Sequence, residues 1–220
     1  MVERASGCLS AAAAAEIMTR LKHLYPKAKS GLNYTTPFEL LVATILSAQC
    51  TYERVNKVTA QLFAKADTPE AVLALGREEL EYIIRECGLF RSKARYIMEA
   101  CQMLLAEFEG EVPADFESLM RLPGVGRKTA SVILSNAFGI PAMPVDTHVF
   151  RVSNRLGLAR GKTPREVEEG LKELLPREEW NQAHHLLIRH GRQICKARNP
   201  RCQVCPLEDL CISALAQQNE

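Results

Sequence analysis

Helix starts recur along this chain as a fixed punctuation, and they constrain its fold more than any other feature. Thr36-Pro37-Phe38-Glu39 combines a hydroxyl cap, a proline at the first helical position and a carboxylate able to reach back. Thr163-Pro164-Arg165-Glu166 repeats that chemistry, and Thr68-Pro69 offers a cap followed by proline. Proline is tolerated at such a place because the N–H it lacks would have no partner inside the helix. Phe38 to Ala48 is apolar nearly all round, which predicts a helix buried on every side. Helical patterns follow over Tyr52–Phe63, Pro69–Ala74, Arg77–Cys87, Lys93–Glu107 and Asp115–Arg121. They continue over Arg127–Phe138, Thr147–Leu156, Pro164–Leu175 and Trp180–Ile194, and Glu16 to Leu21 reads as an amphipathic helix ahead of them all. No run sustains strand alternation and aromatics make up only 6% of residues, so the predicted class is all-α.

Charge alone says little about partners, because 28 basic residues face 26 acidic ones. Any affinity for nucleic acid must then come from local clustering. No apolar run approaches the roughly 20 residues needed to cross a bilayer, so no membrane partner is expected. Met1 to Ala15 sets charge before small residues but lacks the apolar centre of a signal peptide, which points to the cytoplasm. No repeat, linker or dimer seam is visible, and a monomer is expected.

Of eight cysteines, Cys8, Cys50, Cys87 and Cys101 are scattered singly and read as small buried hydrophobes. Cys195, Cys202, Cys205 and Cys211 are different, following C-x6-C-x2-C-x5-C spacing within 17 residues. Such usage in an enzyme-sized intracellular chain favours a metal site over a disulfide framework. A short stretch with so little apolar content gains its order from ligation. Four thiolates suit either tetrahedral zinc or a 4Fe–4S cluster, and the spacing does not separate the two. Lys196, Arg198 and Arg201 fall in the first interval, where a metal-pinned loop would contact phosphates.

Leu122-Pro123-Gly124-Val125-Gly126 lies between two helical patterns. Pro123 stops the first helix, and the glycines permit a tight turn whose N–H groups, beside a helix start, suit an anion such as a DNA phosphate. Arg121, Arg127 and Lys128 flank this helix-hairpin-helix signature with positive charge. On the following helix Ala130, Ile133, Leu134 and Ala137 share one stripe, with Lys128 opposite, near Ser131, Val132 and Ser135. Periodicity alone makes Lys128 a solvated surface lysine. Its place in the first turn, however, disfavours the ammonium, and in a desolvated cleft the free amine would be a nucleophile. Asp146 precedes Thr147-His148-Val149-Phe150-Arg151 at the expected N-cap of the next helix. A carboxylate there could also accept a proton or stabilise a cationic sugar.

The run from Leu122 to Ala130, the Val145-Asp146-Thr147-His148 segment and the four-cysteine loop together resemble bacterial endonuclease III. The likeness extends upstream through Pro37-Phe38-Glu39-Leu40-Leu41 and Leu46-Ser47-Ala48-Gln49, and covers the chain from about Asn33 to Cys211. The resemblance implies two helical lobes with DNA crossing a cleft between them. One is a six-helix lobe over 30–140; the other joins 1–29 to 141–220 and carries a 4Fe–4S cluster on Cys195, Cys202, Cys205 and Cys211. It further implies a DNA glycosylase with abasic-site lyase activity, acting on double-stranded DNA with damaged bases, chiefly oxidised pyrimidines, or abasic sites. By the same resemblance Lys128 attacks C1′ to form a Schiff base, Asp146 assists, and β-elimination breaks the strand 3′ to the abasic sugar. The target nucleotide leaves the stack, Gln49 fills the vacated space and Leu89 acts as a wedge. Gly124, Val125, Gly126 and Arg127 then meet the DNA backbone, with His148 and Arg192 near the pocket. One departure stands out: Tyr52 occupies a position where the family commonly has aspartate, which bears on lesion preference and turnover. Relatives that remove mismatched bases without lyase chemistry lack the lysine, so Lys128 argues against that rival. A DNA-binding module with a structural metal would make Lys128 and Asp146 coincidental.

Overall fold

Helix α1 (Ala11–Leu24) starts at Ser10, whose hydroxyl accepts the Ala13 N–H, and α2 (Pro37–Leu46) starts at Thr36 in the same manner. There follow α3 (Tyr52–Phe63), α4 (Pro69–Ile84), α5 (Phe90–Glu107) and α6 (Phe116–Arg121). Next come α7 (Arg127–Ala137), α8 (Thr147–Leu156), α9 (Pro164–Leu174), α10 (Trp180–Gln193) and α11 (Ile212–Gln218). The structure, a computed structural model, describes residues 8–218; residues 1–7, part of the stretch weighed as a leader, lie outside the described residues. Among the described residues there is no β-strand, and no helix is long and apolar enough to cross a membrane. The class is all-α.

The two Thr-Pro-x-Glu starts close one residue further back than a capping box requires. Glu39 accepts from the backbone N–H and hydroxyl of Thr35, and Glu166 from the Lys162 N–H as well as the Thr163 hydroxyl. Each carboxylate thus ties down the residue before the cap and fixes the direction in which the chain enters the helix. Helix α4 is interrupted at Gly76, where φ 76° and ψ 164° leave helical space. The expected division between Pro69–Ala74 and Arg77–Cys87 falls on this break, which glycine makes at little steric cost.

Packing divides the chain into two units. One runs from Ser30 to Ile140; the other joins the chain up to Lys29 to the part from Pro141 onward. In the first, α2 is the central rod: every residue from Phe38 to Leu46 is buried, against α3, α5 and α7. Leu40, Leu46, Leu62, Leu80, Ile84 and Leu104 are wholly enclosed, each burial contributing about 1.5–3 kcal/mol. Helix α7 differs from its periodicity. Ala130 through Ser135 are all buried, so the side of the helix shared by Lys128 is covered rather than solvated.

In the second unit α1 and α8 pack on α10, while α9 and α11 pack on α8. Ile17, Leu21, Val149, Leu156, Leu171 and Leu187 form its apolar centre. The stretch after Ile194, expected to be loop, contains 3-10 turns at Cys202–Val204 and Glu208–Leu210 and then α11. The seat of α11 is Gly157, which ends α8 with φ 84°; a Cβ there would stand 2.2 Å from Ile212 Cδ1. No other residue type lets Ile212 settle so close.

Candidate functional site

The turn between α6 and α7 is built on two glycines that are glycine for different reasons. Gly124 has φ 79°, and a Cβ on it would lie 2.9 Å from Tyr96 Cβ, so both backbone and packing exclude a side chain. Val125 is buried and donates its N–H to Leu122 O at 3.1 Å, which tightens the turn. Gly126 has φ −97° and nothing within 4 Å of a Cβ, so the fold itself would accept another residue there. It is the N-cap of α7, and no side chain caps that helix. The first-turn N–H groups therefore face an open space with the positive end of the helix dipole behind them. Arg127 and Lys128 are the first two residues of α7; Arg127 is exposed, its guanidinium 5.1 Å from the Phe116 ring, and Lys128 is half-buried.

Helix α8 begins in the opposite way. Oδ1 of Asp146 accepts both the His148 N–H at 2.8 Å and the Val149 N–H at 2.9 Å. The carboxylate is half-buried and its orientation is set by those two bonds. Burial lowers the basicity of the neighbouring His148 ring, Asp146 opposes that, and the Arg151 and Arg192 cations reinforce it. The net direction is downward, so His148 is a neutral ring whose Nδ1 accepts from Arg151 Nη2 at 3.3 Å.

Gln49 and Leu89 both lie in the Ser30–Ile140 unit and share an unusual backbone, with φ 53° and 61°. Left-handed conformation costs an ordinary L-residue about 1 kcal/mol or more, so two such turns carry strain that the surroundings hold in place. Gln49 is exposed and Leu89 is 60% exposed, so neither is a buried polar cap or a core leucine. The Tyr52 ring packs against Gly31, with Cδ2 2.5 Å from where a Cβ would stand. Asn56 completes that contact by donating to Gly31 O at 2.8 Å and accepting the Asn33 N–H at 2.9 Å. The aromatic ring at position 52 thus clamps the segment that leads into α2.

Cys195, Cys202, Cys205 and Cys211 are all half-buried and line one cavity of about 240 Å³ together with His190 and Arg155. Among the described residues no three His, Cys, Asp or Glu side chains close around a single ion. Tetrahedral zinc, with bonds of about 2.3 Å, would draw its sulfurs nearly into contact. A ring of thiols around a cavity instead fits a polynuclear iron–sulfur cluster. Burial pushes the Cys205 thiol up to about 11 and also raises Cys211, so ligation must expel their protons against that tendency.

Two residues missed from the sequence hold this loop to α8. Arg151 donates to Cys195 O at 3.1 and 3.0 Å and to Gly191 O at 2.9 Å. Arg155 donates to Lys196 O at 2.7 Å and Ala197 O at 3.1 Å, and its Nη1 lies 3.6 Å from Cys195 Sγ. Their i, i+4 spacing was the available signal, since it puts both on one face of α8. With the backbone so anchored, Lys196, Arg198 and Arg201 are exposed, as is Arg192 at the end of α10. Lys128, Gln49, Leu89 and the hairpin belong to one unit; Asp146, His148, Arg192 and the cysteine loop belong to the other.

Comparisons with known proteins agree over most of the chain. Residues 42–177 match the HhH-GPD superfamily of base excision DNA repair proteins, and residues 195–211 match the iron–sulfur binding domain of endonuclease III. Endonuclease III of Escherichia coli K12 is 51% identical over 196 residues, 89% of this chain and 93% of its own. That of Rickettsia conorii is 49% identical over 201 residues, 90% of this chain and 96% of its own. Two solved structures superpose with TM-scores of 0.90, a non-covalent endonuclease III–DNA complex at 47% identity and a trapped endonuclease III–DNA covalent intermediate at 48%. Each covers 96% of this chain, and the chain covers 100% and 99% of them respectively. The chain therefore belongs to the endonuclease III family of base-excision repair enzymes, DNA glycosylases and abasic-site lyases that act on DNA and carry a 4Fe–4S cluster.

Proposed function

We propose that this enzyme removes oxidised pyrimidines from duplex DNA and then cleaves the strand, with Lys128 as nucleophile and Asp146 as the assisting carboxylate. The observation that carries this reading is the start of α7: a helix with no side-chain cap, opened by a glycine the fold does not require, with a half-buried lysine in its first turn. The similarity to a trapped covalent endonuclease III–DNA intermediate supports a covalent route.

The chemistry follows from the groups. The target nucleotide leaves the stack at a cost of a few kcal/mol, least for a damaged and poorly stacked base. Exposed Gln49 fills the gap and exposed Leu89 presses into the duplex. The Lys128 amine attacks C1′ and the bond to the base breaks, leaving a protonated Schiff base on the opened sugar. Loss of a C2′ proton and departure of the 3′ phosphate then break the strand by β-elimination, and water releases the lysine. Asp146 supplies negative charge to the cationic sugar, with Oδ2 available because Oδ1 takes both helix N–H groups. His148 lies beside that carboxylate, and the Arg192 cation acts on the same His148 ring. Gly124, Val125, Gly126 and Arg127 bind a phosphate at the α7 start, and Lys196, Arg198 and Arg201 bind others. Cys195, Cys202, Cys205 and Cys211 hold the 4Fe–4S cluster, which when bound supplies a cross-link that keeps the basic loop in shape. The enzyme works as a monomer.

Incubation with a duplex containing one thymine glycol, followed by borohydride, tests the reading. A covalent complex that forms with the enzyme and is absent in Lys128→Ala is expected. Base release and strand cleavage unchanged in Lys128→Ala would refute it.

A further inference from the structure

One buried histidine stands between the cysteine loop and the first helix. His190, on α10, is fully enclosed. Its carbonyl accepts the Ile194 and Cys195 N–H groups, both at 2.9 Å, and its ring carries Nε2 to 3.6 Å from Cys205 Sγ. That separation is hydrogen-bonding distance once the larger radius of sulfur is allowed for. On the other side of the ring, Nδ1 lies 3.4 Å from the Tyr25 hydroxyl, contributed from 165 residues away. Tyr25 closes α1, donating its own N–H to Leu21 O at 2.9 Å, and is itself buried. The two rings meet edge-on with centroids 6.2 Å apart, so packing as well as backbone fixes their positions. Arg155 offers a second N–H to the loop sulfurs, 3.6 Å from Cys195 Sγ, but it is only half-buried and also serves two loop carbonyls. The histidine has no other polar side chain to serve than Tyr25 and Cys205.

We propose that Tyr25 and His190 are positioning residues for the iron–sulfur cluster: the Tyr25 hydroxyl holds His190 in the tautomer that donates Nε2–H to the Cys205 sulfur, and this bond raises the cluster's reduction potential. The statement rests on Cys205 as a cluster ligand, the assignment made above. The order of donors follows from the chemistry of the groups. A ligating thiolate has no proton and only accepts, so the N–H of the imidazole is on Nε2. Nδ1 then carries the lone pair and accepts the Tyr25 O–H, which fixes both the tautomer and the plane of the ring. Reduction by one electron adds negative charge that the ligand sulfurs share. An N–H aimed at one of those sulfurs stabilises the reduced state more than the oxidised one. Because His190 is shut off from water, that bond acts in a low local dielectric and is not weakened by competing solvent. Helix α1 thus reaches the cysteine loop through one side chain and takes part in setting its electronic state.

The test measures the midpoint potential of the cluster-loaded enzyme by voltammetry, with iron content and visible absorbance followed in parallel. Tyr25→Phe keeps the ring and its packing and removes only the hydroxyl. His190→Leu removes the donor, and His190→Gln restores an N–H. The equilibrium constant for reduction should fall about tenfold in His190→Leu, a shift of about 59 mV for a one-electron couple. A fall of about threefold is expected in Tyr25→Phe, with part of the His190→Leu loss recovered in His190→Gln. Iron content should stay the same in Tyr25→Phe, and magnetic resonance of isotope-labelled histidine should show His190 protonated at Nε2 in the parent enzyme and as a tautomer mixture in Tyr25→Phe. An unchanged potential in Tyr25→Phe overturns the proposal, whether or not His190→Leu folds. Cys205→Ala separates the two possible failures. Iron lost from that variant means that the relay alone is wrong, whereas iron fully retained strikes the ligand assignment and the relay with it.

Discussion

Helices α7 and α8 start in opposite ways, and the contrast shows how one element type serves two ends. Both present the positive end of a dipole and first-turn N–H groups without intrahelical partners. At α8 the chain satisfies that demand itself, through two bonds to one oxygen of Asp146. At α7 it does not: Gly126 offers no side chain, and the adjoining space is open. A closed start spends its field on orienting a carboxylate, and an open one keeps its field for an external anion. Seven described helices have a Ser, Thr or Asp side-chain cap, so the missing cap at α7 is a departure from this chain's own habit.

The contrast can be broken by substitution. Lys128→Ala should abolish borohydride trapping and reduce strand cleavage by about a thousandfold or more, with duplex affinity changed far less. Asp146→Asn keeps a good N-cap, so thermal stability should move by less than about 1 kcal/mol while base release falls roughly a hundredfold. If stability and base release instead fell in proportion, Asp146 would be only a cap. Gly126→Asp should turn α7 into a copy of α8. Duplex affinity, measured by titration at two salt concentrations, is expected to drop about tenfold with a shallower salt slope, and the fold to gain up to about 1 kcal/mol. Gly126→Ala should leave melting almost unchanged, whereas Gly124→Ala should cost about 1–2 kcal/mol, because only Gly124 combines positive φ with contact to Tyr96. The smallest effect is a control. Asp115 caps α6, and the Ser118 N–H it accepts holds its carboxyl below the ordinary value. Its contribution is present above the unfolded-state value and is lost as pH falls through the lowered one, so Asp115→Asn should slightly flatten the acid limb of a stability profile and leave catalysis untouched.

Local rules made the helices legible. Caps, prolines and periodicity act within a few residues, and even the Gly76 break could be placed because glycine interrupts the pattern where the chain leaves helical space. What depended on distant packing was not legible. The covered side of α7 carries Ser131 and Ser135, which read as polar surface until other helices close over them. Helix α11 lacks any start signal and is positioned by Ile212 against Gly157, 55 residues earlier in the chain. For the candidate site, spacing alone picked out the cysteine loop and the glycine turn. Helix position raised Lys128 and Asp146 as candidates, but their roles came from resemblance, because one lysine or one capping aspartate has no distinguishing pattern. Arg151 and Arg155 were overlooked because their partners are backbone carbonyls, which sequence does not mark.

The discontinuous unit has a consequence for how the protein is made. A ribosome finishes the Ser30–Ile140 segment while the part from Pro141 onward is still unsynthesised. That segment can fold as it emerges, as domains commonly do. Helix α1 cannot, since the residues that cover Ile17, Met18 and Leu21 belong to helices translated more than a hundred residues later. During that interval the apolar face of an amphipathic helix waits without a partner, a natural client for a chaperone, and any pause in translation after Ile140 lengthens its exposure.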